Sequence, residues 1–153
     1  MREMKKITGL LMAMLLMLSA CGSVPLTGRK QVLLVSDQEV LSSSLTQYSD
    51  YMKSATKSSD KNESAMVTRV GKKIAAATEA YLKANGMESE VKNFQWEFNL
   101  VKDNQINAFC MPGGKIVVYE GLMSLVSSDD ELAVVVGHEV AHAVAKVELE
   151  EAV

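Results

Sequence analysis

Between Met66 and Tyr81 the apolar residues Met66, Val70, Ile74, Ala77 and Tyr81 recur three or four apart. That spacing lines one face of a helix. Gly86 stands just past the end of the stripe, where a left-handed C-cap residue is expected. The period then shortens to two. Phe94, Trp96, Phe98 and Leu100 alternate with Gln95, Glu97 and Asn99, the pattern of a half-buried strand. Lys102 to Gln105 reads as a turn and INAFCM as a second apolar stretch. Pro112-Gly113-Gly114 reads as another turn, and Lys115 to Tyr119 as a third strand. The three strands are expected to form a small antiparallel meander.

Upstream, Ser36-Asp37-Gln38-Glu39 fits a capping box, with Ser as N-cap and Glu reaching back to it. A helix over about 37–56 follows, and the polar run 57–64 breaks it. Downstream, residues 121–126 suggest a short helix. Ser128 with Glu131 repeats the capping-box signature, and Asp129 and Asp130 fall where the helix dipole favours negative charge. From Leu132 to Val147 the pattern is apolar nearly all round, as in a helix that belongs inside a protein. The fold class is α+β: helices packed on a small meander, then one buried helix.

The N-terminus stands outside this fold. Arg2, Lys5 and Lys6 precede an apolar run that ends at Leu18. The run is too short for a comfortable membrane span of ~20 residues, and small residues follow it. That is the layout of a secretory signal peptide over 1–20. Leu18-Ser19-Ala20-Cys21 resembles the bacterial lipobox, which implies a diacylglyceryl thioether and an acylated amine on Cys21, enough acyl chains for stable anchoring. A plain signal peptide with an incidental Cys is the alternative. Residues 21–35 then form a lipidated tether, and 36–153 the folded domain. Gly22 after the Cys favours the periplasmic face of an outer membrane in an organism that has one.

Composition narrows the class. The chain of 153 residues is 48% hydrophobic with a formal charge of −3. It is globular in composition, and nothing points to nucleic acid. With Cys21 acylated, Cys110 would have no intramolecular partner, and Phe109 and Met111 beside it suggest a buried thiol.

The last helix carries VGHEVAH. His138 and His142 are four apart, hence on one helical face, where two imidazoles can take two corners of a zinc tetrahedron. Glu139 is turned ~100° from His138. It flanks the site, where it can take a proton from a zinc-coordinated water whose pKa the metal lowers toward ~7. This is the arrangement of H-E-x-x-H metalloproteases, and both of the chain's histidines lie in it. The bland alternative is a helix whose two His satisfy each other and a backbone carbonyl.

The stretch from Ile106 to Lys146 resembles the family 48 zinc metallopeptidases, the family of HtpX and the CAAX prenyl protease. The matching pieces are Asn107-Ala108-Phe109, Pro112-Gly113-Gly114, Gly121-Leu122, Glu131-Leu132-Ala133 and GHEVAHAVAK; PLTGRKQVLLVS looks like the start of its bacterial lipoprotein members. The resemblance implies a zincin-like fold and a membrane-anchored endopeptidase acting on proteins or peptides, in envelope quality control. It implies His138 and His142 as ligands of one Zn2+ and Glu139 as general base. It also implies that Asn107, Ala108 and Phe109 line the cleft and pair with an extended substrate by strand addition; simple sheet structure, with Phe109 as core, is the other reading.

The pattern departs from the family at its end. The third ligand there is a Glu on a later helix, whereas KVELEEAV alone follows this motif. Glu148, Glu150 and Glu151 lie off the zinc face or on a fraying end. Glu131 is on the right face but roughly 10 Å along the axis. Glu97 or Glu120 would need an unforeseen fold. The expectation is that the C-terminal half of the domain is missing and that the chain is weakly active or inactive alone, its last helix partly uncovered. The alternative is a non-catalytic lipoprotein that binds extended peptides or a partner protease.

Overall fold

The computed structural model describes residues 21–23, 30–32 and 36–145. The signal peptide over 1–20, most of the tether and Glu148, Glu150 and Glu151 lie outside the described residues. Two short strands, β1 (Cys21–Ser23) and β2 (Lys30–Val32), pair antiparallel. Then come α1 (Asp37–Ser54), α2 (Lys61–Ala84), α3 (Glu88–Val91), β3 (Glu97–Val101), β4 (Ala108–Met111), β5 (Lys115–Tyr119), α4 (Glu120–Met123) and α5 (Asp129–Ala145).

Both halves of the capping box that starts α1 are present. The Glu39 amide donates to Ser36 Oγ at 3.3 Å, and the Ser36 amide donates to Glu39 Oε2 at 3.0 Å. Helix α2 begins inside the stretch expected to be a break, because Asp60 Oδ1 accepts from the Asn62 and Glu63 amides, 2.9 Å each, and caps it. Its buried face is also rotated from the expected stripe. Val67, Val70, Gly71, Ala75 and Leu82 are buried, whereas Ala77 and Tyr81 are exposed. At the far end Gly86 has the expected positive φ, 73°.

The sheet is not an antiparallel meander. Its order is β3-β5-β4, with β5 parallel to β3 and antiparallel to β4. KIVVY becomes the central strand because both its faces are covered: Lys115, Ile116, Val117 and Val118 are all buried. The turn over 112–114 needs Gly113 and Gly114 at φ 91° and 81°. A Cβ on Gly114 would lie 2.7 Å from the Trp96 ring.

Side-chain alternation divides the sheet. One face, with Leu100, Ala108, Cys110, Ile116 and Val118, joins a core with Val67, Val70 and Leu82 of α2 and Leu132, Val136, Val140 and Val144 of α5. The other face, with Val101, Val117, Phe109, Met111 and Tyr119, packs with Tyr48 and Tyr51 of α1. The strand expected to be half-buried is therefore covered on both sides. Its polar residues are accommodated by bonds: Asn99 Nδ2 donates to the Tyr48 hydroxyl at 2.6 Å, and that hydroxyl donates to Glu97 Oε2 at 2.9 Å. Lys115 Nζ, in the middle of the sheet, donates to Glu97 Oε1 at 2.7 Å and to the Gln95 carbonyl at 2.6 Å.

Candidate metal centre

Helix α5 is started by Ser128, whose Oγ accepts from the Glu131 amide at 3.2 Å. Glu131 reaches back one residue further than expected, its Oε2 accepting from Ser127 N at 2.7 Å and Ser127 Oγ at 2.9 Å. These bonds hold the Glu131 carboxyl below the usual carboxylate range, the Ser127 amide first. Asp129 takes a two-pronged bond from Arg69 of α2, 2.7 Å from Nε and 2.6 Å from Nη2, which fixes the start of α5 against that helix.

Along α5, Leu132, Val136, Val140 and Val144 recur every four residues and are at most 4% exposed. Each contributes about 1.5–3 kcal/mol of apolar burial. The helix is not buried all round as its composition suggested. Its opposite side stands open, with Val134 74% exposed and His138 and Ala141 exposed. A ridge so anchored on one side presents the other without rotating.

His138 and His142 sit on that open side. Their Nε2 atoms face each other at 2.9 Å, with the rings edge-to-face and 4.3 Å between centroids. A tetrahedral pair with bonds of ~2.0–2.1 Å would hold its nitrogens roughly 3.3 Å apart. The two imidazoles thus fit two corners of a zinc site after a shift of a few tenths of an ångström. Binding would exchange their mutual hydrogen bond for two lone pairs aimed at one point, each ring carrying its proton on Nδ1. Glu139, half-buried, flanks them on the next helical position.

Among the described residues no third His, Cys, Asp or Glu joins this pair. Glu131 is committed to the helix start. Glu97 is tied to Lys115 and Tyr48 on the far face of the sheet. Glu120, at the start of α4, is close enough to Glu63 for its charge to help raise that carboxyl, behind burial and Asp60.

Strand β4 is the sheet edge nearest the motif. Its Ala108 and Cys110 share the core of Val136 and Val140. The Tyr119 amide donates to the Asn107 carbonyl at 3.0 Å, in register with the β4–β5 pairs. Antiparallel pairing alternates inward and outward backbone groups. The backbone polar groups of Asn107, Phe109 and Met111 therefore point to β5, and those of Ala108 and Cys110 point away from it. Cys110 thus belongs to this edge although the sequence suggested only a buried thiol; the thiol is indeed 1% exposed. Only the pairing register carries that signal. The Asn107 side chain is exposed, and that of Phe109 packs toward α1. No described helix is long and apolar enough to cross a membrane.

The mitochondrial metalloendopeptidase OMA1 of Arabidopsis thaliana is 48% identical over 64 residues, covering 42% of this chain and 13% of that protein. Its human counterpart is 28% identical over 123 residues, 78% of this chain and 22% of that protein. The metalloprotease LoiP of Escherichia coli K12 is 34% identical over 74 residues, 45% of this chain and 29% of that protein. The chain thus matches less than a third of the length of each of these relatives. The family model described as Peptidase family M48 matches residues 61–153, from the start of α2 through the histidine helix, and this chain belongs to that family of zinc-dependent metallopeptidases.

Proposed function

We propose that this chain carries the zinc-binding helix and the substrate-pairing strand of a membrane-anchored endopeptidase. The observation that supports this most is the convergence of His138 and His142 Nε2 on the open side of a helix whose other side is locked into the core. These two side chains would hold the metal, with a third ligand from outside the described residues. Bound zinc supplies a Lewis acid that polarises a carbonyl and acidifies water. Glu139 Oε would accept a proton from the attacking water and pass it to the departing amide nitrogen. The strand segment Asn107, Ala108 and Phe109, with the outward amide and carbonyl of Ala108, would hold the peptide extended beside the helix. Cys21 would carry the lipid that tethers the domain, consistent with a role in protein quality control at the envelope.

Two assays test this reading. Residues 22–153 with added zinc should hydrolyse an unstructured protein weakly or not at all, because no third ligand joins the two histidines among the described residues, and whatever chelator-sensitive turnover there is should vanish in Glu139→Gln. Turnover unchanged in Glu139→Gln would overturn the role of Glu139. Peptide N-methylation should weaken binding at the position that faces Ala108; a scan with no position-dependence would overturn strand addition. The absence of a third ligand among the described residues favours a second reading, a non-catalytic lipoprotein that binds extended peptides or a partner protease. Peptide binding that survives His138→Ala without any turnover would support it.

A further inference from the structure

The open side of α5 carries half of a metal site. His138 and His142 Nε2 converge at 2.9 Å and can supply two corners of a tetrahedron, whereas zinc takes four ligands. Among the described residues no third His, Cys, Asp or Glu stands with them. Glu131 is engaged by the Ser127 amide and hydroxyl, and Glu97 by Lys115 and Tyr48. The other two corners therefore face outward, and what surrounds them leaves room for another helix. Steps of ~100° per residue put positions 134, 138, 141 and 142 on one face of α5. Val134 is 74% exposed, His138 and Ala141 are exposed, and His142 is half-buried. From Val134 to His142 this face carries no Asp, Glu, Lys or Arg, because Glu139 is turned ~100° from His138. Two copies can meet there without like-charge repulsion, and Ala141 adds only a methyl group beside the imidazoles.

We propose that a second copy of this chain completes the site: one zinc held by His138 and His142 of each of two chains, a symmetric bridge between two α5 helices. The inference rests on the reading given above that these two histidines bind zinc. In a two-fold pair the same surface of each copy meets its mate, so two imidazoles meet two. The histidines of one chain lie one turn apart along its helix, and the two halves of a tetrahedron are perpendicular. The two helices therefore cross steeply, and their contact is confined to the turn around the metal. So small a contact does not hold without the ion. Four imidazoles leave no position open for water, so the bridged pair is a resting form. The bridge depends on the ratio of metal to protein. With one zinc for two chains, each ion finds four imidazoles. With zinc in excess, each chain's pair holds its own ion and the bridge opens, leaving one zinc per chain.

The experiment is sedimentation equilibrium of the full chain in density-matched detergent across a zinc titration, with bound zinc measured at each step. The expected dimer is absent in chelator, greatest near one zinc for two chains, and lost again in excess zinc. His138→Ala and His142→Ala should each lose the zinc-dependent dimer, with circular dichroism checking that they are folded. X-ray absorption on the unmodified chain needs no variant. It should show four imidazole nitrogens at ~2.0–2.1 Å at the dimer maximum and fewer in excess zinc. A chain that takes up zinc but sediments as a monomer at every ratio overturns the bridge and leaves the two-histidine metal reading standing. A dimer that survives chelator, or that forms with zinc in a folded His138→Ala, overturns the bridge as well. No zinc uptake at any ratio overturns the metal reading, and the bridge with it.

Discussion

The ion pair beneath α1 yields an asymmetric prediction. The Lys115 side chain is 5% exposed and its partner Glu97 52% exposed, with 2.7 Å between them. Removing Glu97 leaves a buried ammonium with the Gln95 carbonyl and the Tyr48 ring, 5.7 Å from Nζ, as its remaining support. An orphaned buried charge costs about 3–5 kcal/mol. Because Glu97 is half in water, the pair is only partly desolvated, and about 2–3 kcal/mol is the expected loss for Glu97→Ala. Removing the lysine as Lys115→Met leaves a carboxylate that water can reach and that still accepts from Tyr48, so the loss is about 1 kcal/mol. For a chain of this length those losses lower Tm by about 8–10 °C and about 3–4 °C. Thermal unfolding followed by circular dichroism at neutral pH reads both. The Lys115 bond, ahead of the Tyr48 hydroxyl, holds the Glu97 carboxyl below its usual range against an opposing burial effect. Its stabilisation is therefore full above the unfolded carboxyl value of about 4.3 and is lost as pH falls through the lower folded value. The gap between wild type and Glu97→Gln should be flat near neutrality and close under acid. A Lys115→Met variant that melts lower than Glu97→Ala, or a gap that widens in acid, would show that the buried ammonium is not the costly half of the pair.

Two further outcomes follow. Gly71→Ala would drive a Cβ into Phe98 Cδ1 and set it 2.7 Å from Cε1; the ring must move, lowering stability by about 1–3 kcal/mol, and Gly71→Ala combined with Phe98→Leu should recover part of the loss in a melting experiment. Cys21→Ser should move the protein from the membrane fraction to the soluble fraction, and an unchanged distribution on fractionation would remove the lipid anchor from the account.

Local signals in the sequence were legible because the chemistry that makes them is local. Ser36 and Glu39 close their box within four residues, the Gly113-Gly114 turn follows from backbone conformation, and Ser128 marks the start of α5. The spacing of His138 and His142 fixed their common face for the same reason. Strand order was not legible. Alternation reports which side chains share a face, not which strand lies alongside, so β5 inserts between β3 and β4 without any local trace. The covering of the second sheet face depends on bonds such as Asn99 to Tyr48, 51 residues apart. The start of α2 was hidden because its cap, Asp60, looks like one more polar residue in a polar run. On α2 itself many small residues fit more than one stripe, and contact with α5 decided which face turned inward.

The most direct measurement is zinc titration against a chromophoric chelator, with X-ray absorption on the loaded protein. The expected result is one zinc per chain with imidazole nitrogens at ~2.0–2.1 Å, at least tenfold weaker binding in His138→Ala and His142→Ala, and near-normal binding in Glu139→Gln. Zinc held equally well without either histidine, or a loaded protein showing no imidazole ligation, would contradict it.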